Sequence, residues 1–200
     1  HRCCRRQRQM CIRDRIRMFP MTLIVQKYGG TSVADTNSLK LVAERIIECK
    51  EDNNDVVVVP SAMGSSTDEL IHLASQLSEK PTPREMDMLL SAGERITMSL
   101  LSMHLNSLGY SSFSLTGSQA GIITTSRHGK AEIEEITGER VKEGIDQGDI
   151  VIVAGFQGFN RDTREITTLG RGGSDATAVA LAAALGCLLY TSPSPRDVSS

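Results

Sequence analysis

Residues 27–33 of this 200-residue chain read Lys27-Tyr28-Gly29-Gly30-Thr31-Ser32-Val33, directly after the apolar run Leu23-Ile24-Val25. A short strand delivers a lysine, two glycines and two hydroxyls before a helical pattern begins. Glycine lets backbone approach a ligand closely because no Cβ intervenes. Free N–H groups at a helix start attract anions, and a lysine adds a full positive charge. These parts suit a polyphosphate, and a tight strand-to-helix turn is the plainer alternative. The spacing is not that of a Walker A loop.

A second such segment runs Thr167-Thr168-Leu169-Gly170-Arg171-Gly172-Gly173-Ser174-Asp175-Ala176-Thr177. It is not the dinucleotide fingerprint, because Asp175 occupies the third glycine position. An arginine buried in such a loop needs a partner, and a substrate carboxylate or phosphate would serve. Further glycines, at Gly64, Gly155 and Gly158, follow the ends of other apolar runs. Open α/β sheets bind ligands at that edge, so the separate loops are expected to converge on one crevice.

The elements that would hold these loops alternate. Strands are expected over 21–26, 56–59, 112–115, 122–124, 132–136 and 150–154, with an outer strand over 165–168. The run Val56-Val57-Val58-Val59 is apolar on both faces, as in a buried parallel sheet, and Pro60 should stop pairing. Helices are expected over 35–50, 67–77, 82–109, 137–148 and 176–185. Thr82-Pro83-Arg84-Glu85 reads as a capping box with proline at N1, and Thr137 as another cap. Gly93 lies inside the third helix, where either the helix breaks or something packs closely. The alternation predicts an α/β fold with a mainly parallel sheet covered on both faces.

Apolar content is 40% and aromatic content 4%, which suits an aliphatic α/β core. No apolar run approaches the roughly 18–20 residues of a membrane helix. Residues 1–20 hold seven arginines and one aspartate, so the middle of the chain, 21–186, carries a net −8 and is no nucleic-acid footprint. The arm 1–20 and the tail 187–200 depart from the body in character. Both are expected to be non-native, the arm disordered. Of five cysteines only Cys49 sits in the body, as packing. Neither disulfide nor zinc spacing exists, which fits a reducing, cytoplasmic compartment.

The motifs together resemble the aspartate kinases of the amino-acid kinase superfamily. Lys27 to Ser32 looks like their opening motif, and Ser61-Ala62-Met63-Gly64 with Thr67-Asp68-Glu69-Leu70 like their second loop. Ser91-Ala92-Gly93-Glu94, Ser114 to Gly121, Val153 to Gly158 and Thr167 to Thr177 complete six motifs in family order, over about 21–186. Pro60 and Ala176 depart from the pattern without touching a catalytic group. The resemblance implies a three-layer αβα sandwich with a mainly parallel central sheet, cut short at its C-terminal end. It implies transfer of the ATP γ-phosphoryl group to the β-carboxylate of L-aspartate, as Mg²⁺-ATP, with no protein metal ligand assigned and no membrane or nucleic-acid partner. It also implies homo-oligomers built through regulatory domains beyond these residues.

On that resemblance Lys27 and Asp175 are the catalytic pair. Lys27, Tyr28, Gly29, Gly30, Gly172, Gly173 and Ser174 belong at the phosphates. Ser61, Thr67, Glu94, Arg171 and Ser174 belong at the amino-acid substrate, with Arg171 on a carboxylate and Glu94 on the ammonium. Other amino-acid kinases, acting on acetylglutamate, glutamate or UMP, and an inactive binding fragment stay open as alternatives.

Overall fold

A computed structural model of the chain describes residues 22–187 and 189–192. The arginine-rich arm and residues 193–200 lie outside the described residues. Nine strands and five helices follow in the order β1 (Leu23–Tyr28), α1 (Thr36–Glu51), β2 (Asp55–Pro60), α2 (Ser66–Leu77), α3 (Pro83–Ser107), β3 (Ser112–Leu115), β4 (Ile122–Thr124), β5 (Ile133–Ile136), α4 (Glu139–Asp146), β6 (Ile150–Val153), β7 (Gln157–Phe159), β8 (Ile166–Thr168), α5 (Gly173–Ala184) and β9 (Leu189–Thr191).

The central sheet has the order β3-β6-β2-β1-β9, and every pairing in it is parallel. Its side chains alternate between two cores, as a period of two demands. Tyr28, Val56, Val58, Ile150 and Ile152 face one layer with α1 and α3, where Val42, Ile46, Leu101 and Leu105 are fully buried. Val25, Val57, Val59, Val151 and Val153 face the other, with Val141 of α4 and Ala178 and Leu181 of α5. The valine run is apolar throughout because both faces are covered, and the result is a helix–sheet–helix sandwich.

A second, four-stranded sheet in the order β5-β4-β7-β8 mixes antiparallel and parallel pairs. The alternation does not anticipate it as a separate sheet. Its strand β7 lies where the sequence suggests only a glycine loop. The backbone fits because Gly158 packs on Ile122 and Thr124 so closely that a Cβ would stand 2.6 Å from the Thr124 methyl.

Several local expectations are revised. The β1–β2 ladder ends at Pro60 as expected, with Pro60 itself the last partner, opposite Tyr28, and the strand one residue longer at each end than 56–59. The Thr82 hydroxyl makes no cap bond to α3. Glu85 turns instead to Arg84, which also reaches Glu165. Thr137 is not the cap of α4: Gly138 is, in a left-handed conformation. Helix α3 runs unbroken through Gly93, where an added Cβ would meet the Ala62 Cβ at 2.8 Å, so close packing is the reason for that glycine. Residues 189–191 form β9, which pairs in parallel with β1.

Candidate active site

The C-terminal ends of β1 and β2, one face of α3 and the segment 168–175 enclose a crevice of about 870 Å³. Its two strand loops are tied by backbone. The Ser61 N–H donates to the Tyr28 carbonyl at 2.9 Å and the Gly64 N–H to the Gly30 carbonyl at 3.1 Å. Gly30 is needed there, because a Cβ would stand 3.0 Å from the Ala62 carbonyl oxygen.

Strand alternation decides where Lys27 goes. It shares a face with Val25 and Val59, so it points toward α5, and its Nζ meets Asp175 Oδ1 at 2.9 Å. The ammonium also lies directly over Gly29, 3.4 Å from where a Cβ would be. Asp175 occupies the first turn of α5, whose N-cap is Gly172 at φ +76° with no side chain capping the leading N–H groups. An uncapped helix start beside a lysine is a ready anion site.

The uncapped helix start near Lys27 is that of α5, and no helix begins at Gly29-Gly30. Helix α1 begins at Thr36, and the Asp35 carboxylate accepts from the Ser38 N–H. That acid repels a phosphate. Tyr28 takes the other face of the strand. By the same alternation it faces away from Lys27 into the α1/α3 core, fully buried, and its hydroxyl donates to Gln26 Oε1. Burial pushes its phenol well above the ordinary tyrosine range. Its side chain is a core residue, and only its backbone belongs to the loop.

The far part of the crevice holds a different charge pattern. Glu94, on α3, is 4% exposed and lines the crevice. Its Oε1 accepts a 3.3 Å bond from the Ala62 N–H, while its Oε2 is buried with no partner among the described residues. Desolvation raises the carboxyl pKa from 4.5 to about 7. Arg171 lines the same crevice, in a loop bent by left-handed Gly170 and Gly172. It is exposed rather than buried, and no acid among the described residues pairs with it. Ser61, Thr67, Gly173 and Ser174 also line the space, Thr67 within the first turn of α2. An unsatisfied buried acid sharing a crevice with an unpaired guanidinium suits a ligand carrying both an ammonium and a carboxylate.

Sequence reasoning missed two contributors. Asp87, seven residues before Glu94 on α3, is 1% exposed and lines the same crevice. An acid inside the apolar stretch Met86 to Leu90 was the available signal. Phe156 adopts φ +67°, rare outside glycine, at the crevice wall. Its N–H donates to Thr177 Oγ1 and its carbonyl accepts from the Leu169 N–H, so the 155–157 turn is bolted to the 169–177 segment. Of the glycines expected to converge, Gly30 and Gly64 line the crevice. Gly155 instead gives close contact to Ser174, where a Cβ would stand 2.9 Å from its Cβ. Among the described residues no three His, Cys, Asp or Glu side chains cluster to hold a metal, and no helix is long and apolar enough to cross a membrane.

Known proteins resemble this chain in sequence and fold. The chain is 59% identical over 174 residues to an aspartokinase of Mycolicibacterium smegmatis, an alignment covering 86% of this chain and 41% of that protein. It is 58% identical to an aspartokinase of Geobacillus stearothermophilus, with 86% and 42% covered. The chain thus spans about two fifths of the length of these relatives. The solved aspartate kinase of Synechocystis superposes with a TM-score of 0.73 at 46% identity, over 86% of this chain and 28% of that one. Escherichia coli aspartokinase III, solved with aspartate and ADP, gives 0.74 at 23% identity over 85% and 48%, a likeness of fold. A family model described as the amino acid kinase family matches residues 22–192, which is all but the arm and the last few residues, and to that family the chain belongs.

Proposed function

We propose that these residues form the acceptor-binding and phosphoryl-transfer part of an aspartate kinase, which moves the γ-phosphoryl group of ATP onto the β-carboxylate of L-aspartate to give 4-phospho-L-aspartate. The observation that carries the reading is the unpartnered buried Oε2 of Glu94 in the same crevice as unpaired Arg171, with Lys27 paired to Asp175 of its lining. High identity to aspartokinases supports the same acceptor.

The acceptor carboxylate, with an ordinary pKa of about 3.9, is ionised at neutral pH and needs no general base. The task is to bring two anions together, so positioning and charge neutralisation dominate. Glu94 holds the ammonium and Arg171 the α-carboxylate with its planar fork, while Ser61 and Thr67 offer hydroxyls. Lys27 neutralises charge developing on the transferred group. Asp175 holds the Lys27 ammonium over Gly29, and the Ser174 N–H, in the uncapped first turn of α5, is offered to the phosphates, while the Gly173 N–H is taken by the Gly170 carbonyl at 3.0 Å. Mg²⁺ bound to the nucleotide would offset further phosphate charge, and Asp175 is the carboxylate placed to meet it. The described residues offer no cage of their own. The reading carries with it a cytoplasmic enzyme that assembles through regulatory domains.

Trapping of acyl phosphate with hydroxylamine, in the complete protein, tests the acceptor. Aspartate should give hydroxamate, and acetylglutamate and glutamate should not. Turnover with either of those, or with UMP by nucleotide assay, in place of aspartate overturns the assignment. Calorimetric titration of the 200-residue chain with Mg-ATP and with aspartate separates binding from catalysis.

A further inference from the structure

Asp87 touches neither of the groups assigned above to the substrates, yet it is the most heavily bonded acid among the described residues. Its Oδ1 accepts from the Thr168 hydroxyl at 2.5 Å and from the Gly129 N–H at 3.0 Å. Its Oδ2 lies 2.7 Å from His128 Nδ1 and 3.2 Å from the same Gly129 N–H. One carboxylate therefore joins three separate segments: helix α3, the loop between β4 and β5, and the last residue of β8.

Those segments carry the two ends of the acceptor pocket. Two turns along α3 from Asp87, on the same face, is Glu94. Three residues beyond Thr168 is Arg171, inside a loop whose glycines Gly170 and Gly172 leave it little stiffness of its own. The β4–β5 loop braces the base of that segment. The Ala131 N–H donates to the Thr168 carbonyl at 2.9 Å, and the Gly129 carbonyl oxygen lies 3.2 Å from where a Cβ of Gly170 would be. Asp87 thus ties the helix that carries Glu94 to the base of the segment that carries Arg171.

We propose that Asp87 is a positioning residue that, through Thr168 and Gly129, fixes the span between Glu94 and Arg171 and so the length of amino-acid acceptor the crevice accepts. The proposal rests on the acceptor reading of the crevice. Its reach is limited to that end, because Lys27 is tied to Asp175 by an independent contact. The carboxylate is engaged by the Thr168, Gly129 and His128 donors, so it orders the crevice wall it belongs to.

The test uses the complete protein with three variants. Asp87→Ala removes every bond of the clamp. Thr168→Val removes one hydroxyl with little change in volume and guards against a failure of Asp87→Ala to fold. Asp87→Asn keeps an oxygen for Gly129 and Thr168. A lost buried hydrogen bond of this kind corresponds to roughly a tenfold effect. The KM for aspartate should rise about tenfold or more in Asp87→Ala and several-fold in Thr168→Val, with the KM for ATP within about twofold and most of the affinity restored in Asp87→Asn. Folded variants whose aspartate KM stays within twofold, or in which both KM values rise together, overturn the proposal. Hydrogen exchange keeps the result separable from the acceptor assignment. The amides of Gly129, Leu169 and Gly173 should exchange about tenfold faster in Thr168→Val while those of α1 do not change. If the unaltered protein proves inactive on aspartate, accelerated exchange still supports the clamp and unchanged exchange refutes it.

Discussion

Replacing Glu94 by glutamine should make the protein more stable at alkaline pH while removing its hold on an amino-acid ligand. The carboxyl is buried, its Oε2 has no partner among the described residues, and its pKa rises from 4.5 to about 7. A raised acid pKa means that the folded state binds the proton more tightly than the unfolded state. Stability is then fully present below pH 4.5, falls as pH rises toward 7, and stays low above it. At about 1.4 kcal/mol per tenfold change in the proton equilibrium, the charged form costs about 3 kcal/mol. A glutamine amide is itself imperfectly satisfied in this place, so about half of that, 1–2 kcal/mol, should be recovered. In a domain of this size that is about 3–6 °C in Tm. Thermal unfolding of Glu94→Gln and the unaltered protein should differ by that amount at pH 8.5 and hardly at all at pH 4. Calorimetry at pH 7 should show the unaltered protein releasing about half a proton on binding aspartate, because the ammonium needs the carboxylate form. Glu94→Gln should bind aspartate far more weakly. A variant with no alkaline gain, or with undiminished aspartate affinity, refutes the reasoning.

Lys27→Ala should lower kcat by about two orders of magnitude or more with little change in the aspartate KM, since the lysine acts on the transferred group. Steady-state kinetics showing near-normal turnover would remove Lys27 from its role. Gly93→Ala should gain helix propensity, about 1 kcal/mol, but place a Cβ 2.8 Å from that of Ala62. The displaced 61–64 loop should then weaken the Ala62–Glu94 bond, read as a raised aspartate KM with an ATP KM that does not move.

The central sheet was legible because Val56 to Val59 and Ile150 to Val153 are apolar on both faces, and few structures other than a covered parallel sheet place such runs. Lys27 was legible for its place at the end of such a strand. That Tyr28 faces the opposite core was also implicit in the alternation, but the motif reading treated neighbouring residues as one unit. The second sheet escaped because its strands of three or four residues carry no periodicity to read, and β7 contains a glycine that suggests a turn. Helix α1, expected over 35–50, runs Thr36–Glu51, with Asp35 as its cap. Asp87 could not be found by spacing at all. Its partners His128, Gly129 and Thr168 come from two distant segments that only the tertiary fold brings to it.

The ion pair between Lys27 and Asp175 joins the first strand of the described chain to its last helix. During synthesis the lysine leaves the ribosome long before the aspartate that orients it, and the parallel pairing of β1 with β2 can form without either partner loop in place. The Lys27–Asp175 contact therefore forms only once α5 has been made, well after β1 and β2 are free to pair.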